Sequence, residues 1–168
     1  MGRYGPNVAV PRILETYRRL GIKQSFFIPG WCIETYPDAI EAILAGGHEI
    51  GHHGYLHEDP IDAPDQRRWF EKALAAHHKY CGKTPAGYRA PVYNINQEVV
   101  DLLIEYGFRY DSSMMADDIP YNLETAHGKL WEMPVHWGTD DWPPFAHYAE
   151  IGYMLSLIHI SEPTRHAS

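Results

Sequence analysis

The sequence predicts an α/β fold in which parallel strands alternate with helices to build part of a (β/α) barrel. Apolar residues recur at helical spacing in separate segments, short apolar runs of strand length stand between those segments, and glycine or proline closes nearly every one. Helix and strand in repeated alternation mean parallel strands joined by right-handed crossovers.

From Val8 to Leu20 the residues Val10, Ile13, Leu14, Tyr17 and Leu20 mark one face of a helix, with Pro11 in its first turn and Gly21 just past its end. Gln24 to Ile28, QSFFI, is a buried strand closed by Pro29-Gly30. Pro37 to Ala45 is a second helix, apolar at Ala39, Ile40, Ile43 and Leu44, and it stops at Gly46-Gly47. A long helix from about Pro64 to Tyr80 carries Trp69, Phe70, Ala73, Leu74 and His77 and ends near Gly82. Gly87 to Ala90 is a brief strand stopped by Pro91. Asn96 to Tyr106 is a helix with Val99, Val100, Leu103 and Ile104 inward and Gly107 as its stop. Phe108 to Tyr110 reads as a strand, and Leu130 to Val135 as another after an Asp-rich connection.

Between the second helix and the long one lies the densest chemistry of the chain, GHEIGHHGYLHEDP from Gly47 to Pro60, with His48, His52, His53 and His57. His48-Glu49-Ile50-Gly51-His52 matches H-E-x-x-H, the zinc-protease string in which two histidines one helical turn apart bind the metal and the glutamate acts as base. That chemistry requires a helix through His48 to His52. Gly46-Gly47 immediately before it, and Gly51 and Gly54 within or after it, oppose one, since each interior glycine costs about 1 kcal/mol of helix stability relative to alanine. The segment His48 to His52 therefore reads as a strand. His48 and His52 become structural histidines, and His53 and His57 fall in the loop at the strand's C-terminal end.

Other reactive side chains fall in the same phase. Arg89 and Tyr93 flank the next strand, Asp111 follows the third, and Asp140-Asp141-Trp142 follow the last. In a parallel α/β barrel such loops share one face, where active sites are built. His53 and His57 are suited to be two neutral imidazole ligands of one divalent metal, zinc being the natural choice; a third ligand is required, and no other residue of the chain stands out for it. Taken singly, Arg89 reads equally well as a partner for a carboxylate, and Asp111 as a cap for the Ser112-Ser113 turn.

Composition excludes other classes. A formal net charge of −8 without a dense Lys/Arg cluster argues against nucleic-acid binding. Cys32 and Cys81 show no C-x-x-C spacing and are too few for a disulfide framework. No apolar run approaches bilayer length and no signal segment opens the chain, so no membrane is expected and a cytoplasmic location is favoured. The start runs directly into a helix, leaving room for a preceding strand. Leu155 to Arg165, LSLIHISEPTR, looks like translated sequencing-adapter read-through, so residues 1–154 are taken as a truncated domain and 155–168 as non-native.

The stretches GHEIGHHGYLHEDP, GYRAP, YGFRYDSSM and EMPVHWGTDDWPPF resemble the NodB-type polysaccharide deacetylases, close to their peptidoglycan-deacetylase and allantoinase-like branch, over nearly the whole chain from Gly2 to Phe145. The resemblance implies a metal-dependent hydrolase of non-peptide carbon–nitrogen bonds on a distorted seven-stranded (β/α) barrel, acting on a small-molecule or oligosaccharide substrate. It implies His53 and His57 as metal ligands, Arg89 as the residue that holds the catalytic carboxylate, and Pro91 and Tyr93 as a wall of the substrate groove. Asp141 and Trp142 resemble the motif that tunes the catalytic acid and supplies an apolar patch, with Asp140 an equal candidate for the carboxylate. The family's first motif, with an aspartate base and an aspartate ligand, has no counterpart here. Leu157-Ile158-His159 mimics the last motif but lies in the adapter-like segment, so His159 is assigned no role. Without base, third ligand and acid, the 168-residue chain itself is expected to show little or no amide hydrolysis. An allantoinase-like cyclic-amide hydrolase and a protease using His48, Glu49 and His52 are the alternatives.

Overall fold

The computed structural model describes residues 3–60 and 64–140. They fall into two units, the first ending at Pro134 and the second beginning at Val135. The first unit holds a six-stranded sheet in the order β1-β2-β3-β4-β6-β5. Its strands are β1 (Ser25–Ile28), β2 (Glu49–His52), β3 (Gly87–Tyr88), β4 (Tyr110–Asp111), β5 (Tyr121–Thr125) and β6 (Gly128–Glu132). Every pairing is parallel except the β5–β6 hairpin. The sheet is open, with β1 and β5 as its edges, and is the partial (β/α) barrel expected from the sequence.

The helices are α1 (Val10–Leu20), α2 (Gly30–Thr35), α3 (Pro37–Ala45), α4 (Gln66–Cys81) and α5 (Gln97–Glu105). Asp65 and Asn96 cap α4 and α5 by accepting the backbone N–H of Arg68 and Val99, satisfying donors that a helix start leaves open. Gly21 and Gly82 end α1 and α4 in the left-handed conformation. One apolar cluster, Phe70, Leu74, Tyr88, Val99, Leu103, Phe108 and Leu130, binds α4 and α5 to the sheet. A second, Ile33, Ile40, Ile43, Ile50 and Ala76, is built around α3. No helix among the described residues is long and apolar enough to cross a membrane.

Two elements go beyond those the sequence pattern predicts. Helix α2 is only six residues long, too short to show a periodicity. Strand β5 lies in the Asp-rich connection, where Asp117 and Asp118 precede it and its place as a half-exposed edge strand removes the need for an apolar run. Some boundaries also move. β4 begins at Tyr110 because the N–H of Phe108 bonds Leu103 O at 2.9 Å and so closes α5 instead of entering the sheet. β3 stops at Tyr88 and β6 at Glu132, short of Pro91 and Pro134, which have no N–H to give a ladder.

Strand packing explains two glycines. A Cβ at Gly87 would lie 2.0 Å from Cζ of Tyr110, and one at Gly51 would lie 2.6 Å from Cδ1 of Phe27. Tyr110 and Phe27 cross the neighbouring strands there, edge to face with ring centroids 6.3 Å apart.

The second unit, described from Val135 to Asp140, contains a 3-10 turn at Trp137–Thr139. His136 opens it, its Nδ1 accepting the N–H of Gly138 at 2.9 Å.

Candidate functional site

Side chains alternate across a strand, so β2 sorts the histidine-rich segment onto two faces. His48, Ile50 and His52 face the helices. The ring of His48 packs against Tyr17 and Phe26, and its Nδ1 accepts the N–H of Gln24 at 3.2 Å. His52 is fully buried and stacks on Phe70 at 4.4 Å between centroids. Its Nε2 donates to Phe70 O at 3.1 Å, since a carbonyl only accepts, and its Nδ1 accepts the N–H of Gly54 at 3.3 Å. Burial, with neighbouring His77, pushes its pKa down to about 3. Glu49 lies on the other face, where the hydroxyls of Ser25 and Tyr110 donate to its Oε2. An H-E-x-x-H metal site is thus ruled out geometrically: the glutamate and the two histidines occupy opposite faces of a sheet, and both nitrogens of His52 are engaged.

The strand ends lie in register, with Ile28 opposite His52, His52 opposite Tyr88, Tyr88 opposite Asp111 and Asp111 opposite Glu132. The next residue along each of the middle strands is therefore also a neighbour of the next. The N–H of Arg89 bonds His52 O at 3.0 Å, and that of Ser112 bonds Tyr88 O at 2.9 Å. This row brings His53, Arg89 and Ser112 together.

His53 Nδ1 lies 2.7 Å from Arg89 O. The carbonyl must accept, so Nδ1 carries the hydrogen and Nε2 keeps its lone pair. Burial pushes the pKa of His53 down to about 4; the bond to Arg89 opposes this, and the charges of His57 and Arg89 add to it. The ring of His57 meets it edge to face at 4.8 Å. His57 is exposed and has φ 63°, a left-handed conformation uncommon for a side chain of its size. Glu58, which no sequence motif singles out, holds this loop: its Oε1 accepts the N–H of Tyr55 at 2.9 Å and its Oε2 that of Leu56 at 2.6 Å. The N–H groups of Gly30 and Trp31 bond Gly54 O and Tyr55 O, each at 2.9 Å, so the loops after β1 and β2 are joined.

Two imidazoles in contact, one a fixed neutral tautomer with Nε2 available, fit part of a divalent metal site. No group of three or more His, Cys, Asp or Glu side chains that could hold a metal occurs among the described residues, so a third ligand is not supplied there.

Arg89 stacks over the ring of Phe27, 4.4 Å from its centroid. Its Nε donates to Ser112 O at 2.9 Å and its Nη2 to Ser112 Oγ at 2.7 Å. It makes no ion pair with a carboxylate among the described residues. Pro91–Tyr93 form a 3-10 turn beyond it, in which Val92 and Tyr93 have φ 51° and 61°. For a β-branched valine that is strained backbone, of the kind that accumulates at functional sites. Pro91 is buried, Val92 exposed and Tyr93 half-buried. Asn94 Nδ2 donates to Asp59 Oδ2 at 2.6 Å, linking this turn to the histidine loop. Asp141 and Trp142 lie outside the described residues, and Asp140 follows the Trp137–Thr139 turn of the second unit.

Asp111 and Glu132 end β4 and β6 side by side, both fully buried. Asp111 accepts from Ser113 Oγ at 2.7 Å and from Ser113 N–H at 3.2 Å. Glu132 Oε1 accepts the N–H groups of Ser113 and Met114 at 3.0 and 3.1 Å. Burial, and then the adjoining Asp111, pushes the pKa of Glu132 up to about 8; burial also raises that of Asp111, against the hydrogen bonds it receives. Glu132 opens the EMPVHWGTDDWPPF stretch but is given no role there, although alternation along Leu130 to Val135 places it in phase with buried Leu130.

The parallel strands carry a histidine pair, an arginine and a strained proline turn at their C-terminal ends, which makes this a partial (β/α) barrel with its candidate site at the strand ends. Residues 4–110 match the polysaccharide deacetylase family, and the chain belongs to it. It is 31% identical over 169 residues to a peptidoglycan deacetylase of Helicobacter pylori, the match covering 85% of this chain and 58% of that protein. Among solved structures, a putative polysaccharide deacetylase from Mycobacterium smegmatis superposes with a TM-score of 0.82 at 38% identity, covering 94% of this chain and 59% of the other. The Puue allantoinase superposes with a TM-score of 0.73 at 29% identity, covering 82% and 47%. The chain thus spans about half the length of these relatives.

Proposed function

We propose that the protein carrying this domain is a metal-dependent hydrolase of non-peptide carbon–nitrogen bonds that removes N-acetyl groups from a polysaccharide or peptidoglycan-type sugar. The observation that carries the reading is the His53–Arg89 bond, which leaves His53 Nε2 unprotonated beside His57. In this reading His53 and His57 hold a divalent ion, zinc by the chemistry of the ligands, which when bound supplies a Lewis acid for a carbonyl and a water acidified to a pKa of about 7. Arg89, already oriented by Ser112 and Phe27, offers its guanidinium to the carboxylate that serves as base. The Pro91–Tyr93 turn forms one wall of the groove, and Asp141 and Trp142 take the acid-tuning and apolar roles that the family resemblance gives them. Hydrolysis breaks the amide C–N bond, water supplies the oxygen of the released carboxylate, and the departing amine takes up a proton.

The reading is tested by acetate release from N-acetylated oligosaccharides by a protein carrying the domain together with the family's first and last motifs. Acetate release lost on chelation and restored by zinc supports it; chelator-resistant activity overturns the metal assignment. The likeness to the Puue allantoinase supports a second reading, a cyclic-amide hydrolase of the same fold. Turnover of a cyclic amide but not of an N-acetyl sugar decides for it.

A further inference from the structure

We propose that Glu132 enters the native structure as a carboxylic acid sharing its proton with Asp111, and that this one-proton pair is the positioning element for the Ser112-Ser113 turn on which Arg89 rests. Only the use made of Arg89 rests on the deacetylase reading.

The donor inventory points to the proton. Three donors bond the two carboxyls: Ser113 Oγ–H, Ser113 N–H, which both carboxyls share, and Met114 N–H. Glu132 Oε1 takes two of them, while its Oε2 is buried and receives none. A bare carboxylate oxygen without a donor, beside a second buried carboxylate, is an arrangement that protonation removes. The Glu132 acid would then donate to Asp111, its neighbour across the β4–β6 pairing. No Lys, Arg or His forms an ion pair with either group among the described residues. The titratable groups facing them from adjoining strands are the phenols of Tyr88 and Tyr121, both raised above their ordinary range and neutral below it. The helices pack on this face with apolar side chains such as Phe70, Val99 and Leu103.

The consequence runs toward the site. The Asp111 anion holds both the hydroxyl and the N–H of Ser113, and Ser113 Oγ in turn accepts the N–H of Ala90 at 2.9 Å. Ser112, one residue earlier, takes two bonds from Arg89, whose carbonyl receives His53. Loss of the shared proton leaves two buried anions with three donors, and loosens this turn.

The test uses the whole chain with neither metal nor substrate, so its outcome is independent of the proposed activity. Infrared or carbon-13 detection is expected to show a protonated carboxyl at pH 7 that disappears in Glu132→Gln, a neutral isostere with a donor for Asp111. Because the folded pKa of Glu132 is raised, the native state keeps a proton that the unfolded chain releases. Wild-type stability should then fall relative to Glu132→Gln as pH rises from about 4.5 to about 8, by up to tenfold in the folding constant per pH unit. The amide signals of Ser113 and Met114 and the Arg89 Nε signal should shift near pH 8 in the wild type and not in the variant. Should Glu132→Gln fail to fold, Asp111→Asn serves, since removing the anion should move the Glu132 titration to lower pH. Absence of a protonated carboxyl at pH 7, or parallel pH–stability curves for wild type and Glu132→Gln, overturns the proposal.

Discussion

His53 gives its Nδ1 hydrogen to the main-chain carbonyl of Arg89 across 2.7 Å, so the first residue beyond β2 has its tautomer set by the first residue beyond β3. A carbonyl does this without regard to pH, and a substitution of the arginine side chain leaves the bond in place. Replacing His53 or His57 by alanine should therefore weaken zinc binding by tenfold or more, while His48→Ala leaves it unchanged. Calorimetric zinc titration of the three variants checks this, and loss of binding in His48→Ala alone would return the metal site to the H-E-x-x-H string.

Gly87→Ala should destabilise the fold by about 1–3 kcal/mol, because the added methyl lands 2.0 Å from Cζ of Tyr110, whose ring is held by Phe27 and by its bond to Glu49. Urea denaturation measures the loss. The Tyr110→Ala background should blunt it, giving a non-additive pair of substitutions; additivity would show that the contact is not what selects glycine there.

Arg89→Lys should cost about 1–2 kcal/mol of stability even without substrate, since an ammonium cannot reproduce the forked bonds to Ser112 O and Oγ or the flat contact with Phe27. Denaturant titration of the variant tests this. A lysine variant as stable as the wild type would mean that Arg89 is held by the backbone alone.

His77 is fully buried, and neither ring nitrogen has a hydrogen-bond partner among the described residues. Burial, with the charge of His78, lowers its pKa to about 4. The folded pKa lies below the ordinary 6.5, so the unfolded chain binds a proton that the native state refuses. Its neutral form contributes full stability above about pH 6.5, and that contribution is lost as pH falls toward 4. His77→Leu should be neutral or stabilising by about 1 kcal/mol at pH 7, and should flatten the acid limb of the stability profile. Acid sensitivity unchanged in the variant would assign that limb to other groups, His52 first among them.

The order of helices and strands, and the rejection of a helical H-E-x-x-H, could be read from the sequence because both are local properties. Periodicity places Ile40 and Ile43 inward on α3, and the Gly46-Gly47 stop turns the chain out of the helix and into β2. That His53 and His57 share a loop follows from their four-residue separation. Tertiary structure alone decided which face each histidine takes, which nitrogen of His53 is free, and which residue sets it. Those answers come from the register between β2, β3 and β4, a match between segments dozens of residues apart. Asp111 and Glu132 show the same division. In the sequence Asp111 reads as a cap after one strand and Glu132 as a residue within another, and only the pairing of β4 with β6 puts two carboxyls together in the interior, where water is too scarce to let both ionise.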